Sequence, residues 1–155
     1  MRKEYTTDDP LKIQLEEGVH EILGSTHKMM PVTCSHITFV GKGKDHTTIR
    51  GGFSVRSQPN DKFEELTITY TGFGLVVEGR ETNVDVSKCV VKKCGATGMN
   101  VREGATVTAT QCEFMENGGD GVFCYGANTK ARLTDCKMHN NGMDGLVAYD
   151  DAVVD

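Results

Sequence analysis

The sequence predicts an all-β chain wound into a right-handed parallel β-helix of five to six rungs, on three observations. Segments of eight residues recur at shifts of 23 and then 24 residues, apolar and polar residues alternate within them, and turns rich in glycine and asparagine divide them. A repeat of that length cannot bury its apolar face alone, so successive copies must stack. Alternation with a period of two is the mark of a strand, and no stretch holds a helical period.

The alignment carries most of the argument. Val84–Val91, Val107–Phe114 and Ala131–Met138 superimpose, and the same shifts carry Gly98–Val101 onto Gly121–Cys124 and Gly145–Ala148. Equivalent residues then stand above one another at about one strand spacing, 4.8 Å. Six apolar columns follow: Val84/Val107/Ala131, Val86/Ala109/Leu133, Leu66/Cys89/Cys112/Cys136, Ile68/Val91/Phe114/Met138, Leu75/Met99/Val122/Leu146 and Val77/Val101/Cys124/Ala148. All are assigned to the interior, where burial contributes about 25 cal/mol per Å² of apolar surface.

Along the chain, residues 1–10 read as a polar lead-in and residues 11–155 as one domain. Leu11 to Ile22 reads as the first strand pair, and His27 to Met30 as a loop or short cap. Val32 to Val55 reads as an irregular rung with longer turns, and Gln58 to Asp61 as a turn; from Phe63 the rungs are regular. The last full rung ends at Ala148, and Tyr149–Asp155 begins another with no clear C-terminal cap. An uncapped rung exposes core and unpaired strand groups, so the expectation is a β-helix that continues in a longer protein or is covered by a second copy.

The turns Asn117-Gly118-Gly119-Asp120-Gly121 and Asn141-Gly142-Met143-Asp144-Gly145 resemble β-helix repeats of the pectate-lyase-like superfamily. The opening stretch, Ile13–His20, Ile37–Gly43 and Thr48–Gly51, is similar to the first rungs of pectin methylesterases. The resemblance implies the fold over nearly the whole chain. It does not imply a reaction, because the superfamily holds lyases, hydrolases, epimerases, adhesins and noncatalytic recognition domains. The later pectin methylesterase motifs are absent, and the chain has no tryptophan.

Composition narrows the partners. With 17 basic and 22 acidic side chains and a net charge of -5, there is no electrostatic case for nucleic acid or an anionic membrane. No apolar run approaches the length of a membrane span, and Met1–Tyr5 lacks the apolar stretch of a secretory signal. None of the six cysteines forms a C-x-x-C pair or a zinc-finger spacing. Cys89, Cys112 and Cys136 read as interior thiols that fill space as small hydrophobes, which leans toward an intracellular, reducing compartment. Cys94, Asn117 and Asn141 share one turn position, where stacked amides bond along the axis.

Two features carry candidate chemistry. Asp120 and Asp144 stack at one turn position, and two carboxylates about 5 Å apart repel unless a cation or proton intervenes. They are the weak candidates for a catalytic pair in a polysaccharide lyase or glycoside hydrolase, and for calcium; otherwise no cofactor is expected. The second feature is the outward surface of one sheet, where the columns Glu78/Arg102/Tyr125/Tyr149 and Val76/Asn100/Phe123/Val147 run side by side. Val76, Arg102, Phe123, Tyr125, Val147 and Tyr149 make a partly aromatic candidate binding face for a protein or glycan, and a surface on which a homodimer could close. The five histidines are scattered and none is assigned to a metal; Gly41-Lys42-Gly43-Lys44 reads as a β-turn. The leading reading is a noncatalytic recognition or scaffold domain, beside a polysaccharide-active enzyme and a structural rod.

Overall fold

The computed structural model describes residues 4–23 and 29–155, which contain strands and turns and no helix. The chain coils through three sheets in turn. Sheet A stacks β1 (Leu11–Gln14), β4 (Ile37–Val40), β7 (Asp61–Glu64), β10 (Asn83–Ser87), β13 (Thr106–Thr110), β16 (Lys130–Thr134) and β19 (Val153–Val154). Sheet B stacks β2 (Gly18–Glu21), β5 (Thr47–Arg50), β8 (Thr67–Thr69), β11 (Val90–Lys92), β14 (Glu113–Met115) and β17 (Lys137–His139). Sheet C stacks β3 (Met29–Val32), β6 (Gly52–Arg56), β9 (Leu75–Glu78), β12 (Met99–Arg102), β15 (Val122–Tyr125) and β18 (Leu146–Tyr149). The pairings along these stacks are parallel, as in a β-helix of about six turns.

The register reproduces the columns read from the sequence. Val84 faces Val107 and Val107 faces Ala131; Ile68, Val91, Phe114 and Met138 stand in one line; so do Leu75, Met99, Val122 and Leu146. The early irregularity has a specific place. Leu11 pairs with Ile37 and Gly18 with Thr47, so the first rung carries longer turns, whereas Met29 pairs with Gly52 at the regular shift. Asp61, expected in a turn, opens strand β7. Of the expected loop at His27–Met30, His27 and Lys28 lie outside the described residues, and Met29 and Met30 begin β3.

The core is dry. Ile68, Val91 and Phe114 are fully buried, and Phe39, Phe53 and Phe63 pack with ring centroids 4.8 to 5.2 Å apart. The last rung departs from expectation. Met138, Leu133 and Cys136 are half-buried, and Leu146 and Ala148 are exposed, although each occupies a core column. Among the described residues nothing lies over them beyond the two residues of β19, so inward-pointing side chains keep one open side.

Corners hold the rungs in register. Between sheets A and B, Glu65, Lys88, Gln111 and Asp135 adopt left-handed φ between 51° and 55°. The residue after each turns inward: Leu66, then Cys89, Cys112 and Cys136. Each thiol lies within hydrogen-bond reach of two corner carbonyls, one from its own rung and one from the rung before, and its single S–H can serve either, as Cys112 faces Thr110 and Val86 at 3.4 Å. A leucine fills the same space without that donor. All six cysteines are free. Between sheets B and C the expected amide ladder is present: Asn141 Oδ1 accepts from Asn117 N at 3.1 Å and Nδ2 at 3.0 Å, and Asn117 Oδ1 accepts from Cys94 N. At this corner successive backbones nearly touch. A Cβ on Gly98 would lie 2.8 Å from the Gly121 carbonyl oxygen, and one on Gly121 would lie 2.5 Å from that of Gly145.

Candidate functional site

The corner glycines and the parallel register set the outer surface of sheet C, where alternate residues of β6, β9, β12, β15 and β18 point away from the core. One column runs Ser54, Val76, Asn100, Phe123, Val147, and its neighbour runs Arg56, Glu78, Arg102, Tyr125, Tyr149. The predicted face residues therefore stand together, and the second column extends one rung further, to Arg56.

The face has two halves along the axis. In the first, Glu78 is a clamped carboxylate with its side chain 8% exposed. Its Oε1 accepts from Arg56 Nε at 2.8 Å, and its Oε2 accepts from Arg102 Nε at 2.7 Å; each guanidinium adds an Nη2 contact at the same distance. Burial alone would push the Glu78 carboxyl up, but the two guanidiniums outweigh it and hold the group below its usual range. Arg56 also stands 3.8 Å from Glu103. In the second half three aromatic rings lie nearly parallel: Phe123 and Tyr125 with centroids 6.3 Å apart, Tyr125 and Tyr149 5.9 Å apart. Tyr125 is 41% exposed and Tyr149 65%.

The floor between them differs from expectation. Val76, predicted on the exposed surface, is 6% exposed. It is a short side chain beside a column of long ones locked together by the Arg56–Glu78–Arg102 clamp, so it supports the face from below. Asn100 is also buried, and its Oδ1 has no hydrogen-bond partner. An unmatched buried amide oxygen is costly and marks a position to explain.

Asp120 and Asp144 lie on successive B–C turns, as expected, in unequal surroundings. Asp120 is buried, and its Oδ1 accepts from the backbone amide of Asp144 at 3.0 Å, whereas the Asp144 side chain is exposed. Asp120 thus links one rung to the next. Among the described residues no group of three or more His, Cys, Asp or Glu side chains is gathered closely enough to hold a metal.

A second cluster was missed. Asp61 occupies the core column Ile37/Asp61/Val84/Val107, fully buried. Its Oδ1 accepts from Ile37 N at 3.0 Å, while its Oδ2 and the nearby His36 Nδ1 are buried without partners. Asn60 Nδ2 donates to His36 Nε2 at 3.0 Å. Burial pushes the Asp61 carboxyl up to about 6, against the pull of the Ile37 amide and His36. The signal was in the sequence: a shift of 23 residues back from Val84 reaches Asp61.

No curated protein matches the chain. Among solved structures the chain is similar to pectin methylesterase from Yersinia enterocolitica, with a TM-score of 0.56 and 17% identity over 81% of this chain. The chain spans 51% of that protein's length, and at this identity the likeness speaks for the fold. The family model described as the right handed beta helix region matches residues 28–154, and the chain belongs to that family.

Proposed function

We propose that the outer face of sheet C is a noncatalytic recognition surface for glycan. The observation that carries the reading is the set of three near-parallel rings, the half-buried Phe123 and the exposed Tyr125 and Tyr149, beside an Arg102 that the Glu78 clamp holds in place. Flat apolar surfaces flanked by fixed polar groups suit sugar rings, which are apolar on their faces and polar at their edges. A noncatalytic role is supported by the state of the acidic pair. Asp120 Oδ1 is committed to the backbone amide of Asp144 at 3.0 Å, and the Asp144 carboxylate is exposed.

The test is binding without turnover. Calorimetric titration with plant and bacterial cell-wall oligosaccharides is expected to give saturable binding that Tyr125→Ala weakens by about tenfold, the loss of one stacking contact of roughly 1–1.5 kcal/mol. Release of reducing ends or methanol from a polysaccharide, abolished in Asp144→Asn, would replace this reading with an enzyme. Capture of a protein partner that competes for Tyr125, with no glycan bound, would replace glycan by protein.

A further inference from the structure

We infer that the ligand of this face is an uncharged glycan, so that polyuronates are disfavoured; this deepens and rests on the glycan reading above. The first ground is charge. The two guanidiniums in the face, Arg56 and Arg102, are both spent on one buried carboxylate, with contacts of 2.7 and 2.8 Å occupying both oxygens of Glu78. Arg56 is shared further with Glu103. A uronate carboxylate that reaches the exposed edge of either guanidinium therefore meets a positive charge already offset by Glu78 and Glu103.

The surroundings reinforce this. The corner following sheet C carries Arg80 against Glu81, Glu103, Asp150 and Asp151, and the corner preceding it carries Lys93 paired with Glu116 and the exposed Asp144. A polyanion approaching the aromatic half thus meets a net negative rim, which slows encounter and weakens binding most at low salt.

The second ground is independent of charge. Asn100 lies in the floor of the face, buried, with an unmatched Oδ1. It stands in column between Val76 and Phe123 and adjoins Arg102 along the strand. That oxygen can only accept, so it selects a donor. A sugar hydroxyl donates and an ionised carboxylate does not, so the position favours a ring that presents a hydroxyl there over one that presents its carboxylate. A side-chain movement that brings Oδ1 to the surface of the face would let a hydroxyl donate to it while the ring rests on Phe123 and Tyr125.

The experiment titrates the intact chain by calorimetry with xylohexaose, cellohexaose and mannohexaose, and separately with hexagalacturonate, at low and physiological salt. At least one neutral hexaose is expected to bind about tenfold or more tightly than hexagalacturonate, with little salt dependence. Asn100→Ala should weaken the neutral ligand by about three- to tenfold, the worth of one hydrogen bond. Glu78→Gln frees both guanidiniums and should narrow the gap by strengthening hexagalacturonate. Tighter binding of hexagalacturonate, lost in Tyr125→Ala, would overturn the ligand class while leaving the recognition face in place. Neutral binding unchanged in both Tyr125→Ala and Asn100→Ala would overturn the face itself. If Glu78→Gln does not fold, the salt dependence of hexagalacturonate binding to the unaltered chain decides: binding that strengthens as salt falls refutes the negative rim.

Discussion

Asp61→Asn should remove a pH dependence that runs opposite to ordinary acid unfolding. Asp61 is fully buried in a column otherwise made of isoleucine, valine and alanine, and burial lifts its carboxyl from 3.8 to about 6. A carboxyl whose value is raised by folding binds its proton more tightly in the native state. Its contribution is therefore fully present below about pH 4 and is lost as pH rises through about 6. The difference is worth up to about 3 kcal/mol at 1.36 kcal/mol per pH unit, or roughly 6–12 °C in melting temperature for a chain of this size. In Asp61→Asn the amide oxygen can still accept from Ile37, and no proton is taken up. The assay is urea unfolding of both proteins from pH 4 to 8. Other carboxylates titrate in both, so the difference curve isolates Asp61. It should rise in favour of the variant between pH 4 and about 6.5 and then flatten. Carbon-13 titration of the Asp61 carboxyl in the unaltered protein gives a second reading. A flat difference curve, or a carboxyl that titrates with the exposed aspartates, would refute the reasoning.

Four further outcomes are expected. Phe114→Ala removes a fully buried ring from the centre of a column and should cost about 3–5 kcal/mol by denaturant unfolding, while Met138→Ala, half-buried, should cost less than half of that. Cys89 should resist thiol reagents in the native state, because burial pushes its thiol up to about 12; the hydrogen bond with Cys136 and burial raise Cys112 as well, so the half-buried Cys136 should be labelled first of the three in a timed mass-spectrometric assay. Asp120→Ala should destabilise by about 1–2 kcal/mol through loss of its bond to the Asp144 amide, with the midpoint unmoved by millimolar calcium; a calcium-dependent midpoint would assign the pair a cation. Light scattering over a range of concentrations should show a dimer that Tyr125→Asp abolishes and changes at Asp150 or Asp151 do not, and that saturating glycan dissociates because both use the same face; a strict monomer at high concentration would remove sheet C as a pairing surface.

What could be read in advance follows from what a repeat encodes. The shifts of 23 and 24 fixed which residue stacks on which, so the thiol column, the asparagine ladder and both columns of the candidate face appear in the structure in the expected register. Alternation gives direction and not depth. Val76 points outward and is nonetheless buried, because its exposure is set by neighbouring side chains that lock together across rungs. Met138 and Leu146 point inward and remain open, because depth also depends on the rung above. Asp61 was within reach of the same arithmetic but looked like the end of a Pro-Asn turn, and local turn chemistry prevailed over register. Asp120 and Asp144 were placed on adjacent turns correctly, yet their unequal roles depend on a side-chain-to-backbone bond that spacing does not reveal.

The corner between sheets A and B has a consequence for what the surface can carry. Glu65, Lys88, Gln111 and Asp135 hold a conformation that glycine adopts more easily, and none of them is glycine. Each keeps its side chain at the edge of the rung, and Lys88 and Glu65 already meet at 3.5 Å across one step. Because the residue after each of them turns inward while its own side chain stays outside the packing, side chains that tolerate left-handed φ can be exchanged at these four positions with the stack unchanged. The edge is therefore a molecular ruler, a line of interchangeable functional groups graduated at about 4.8 Å.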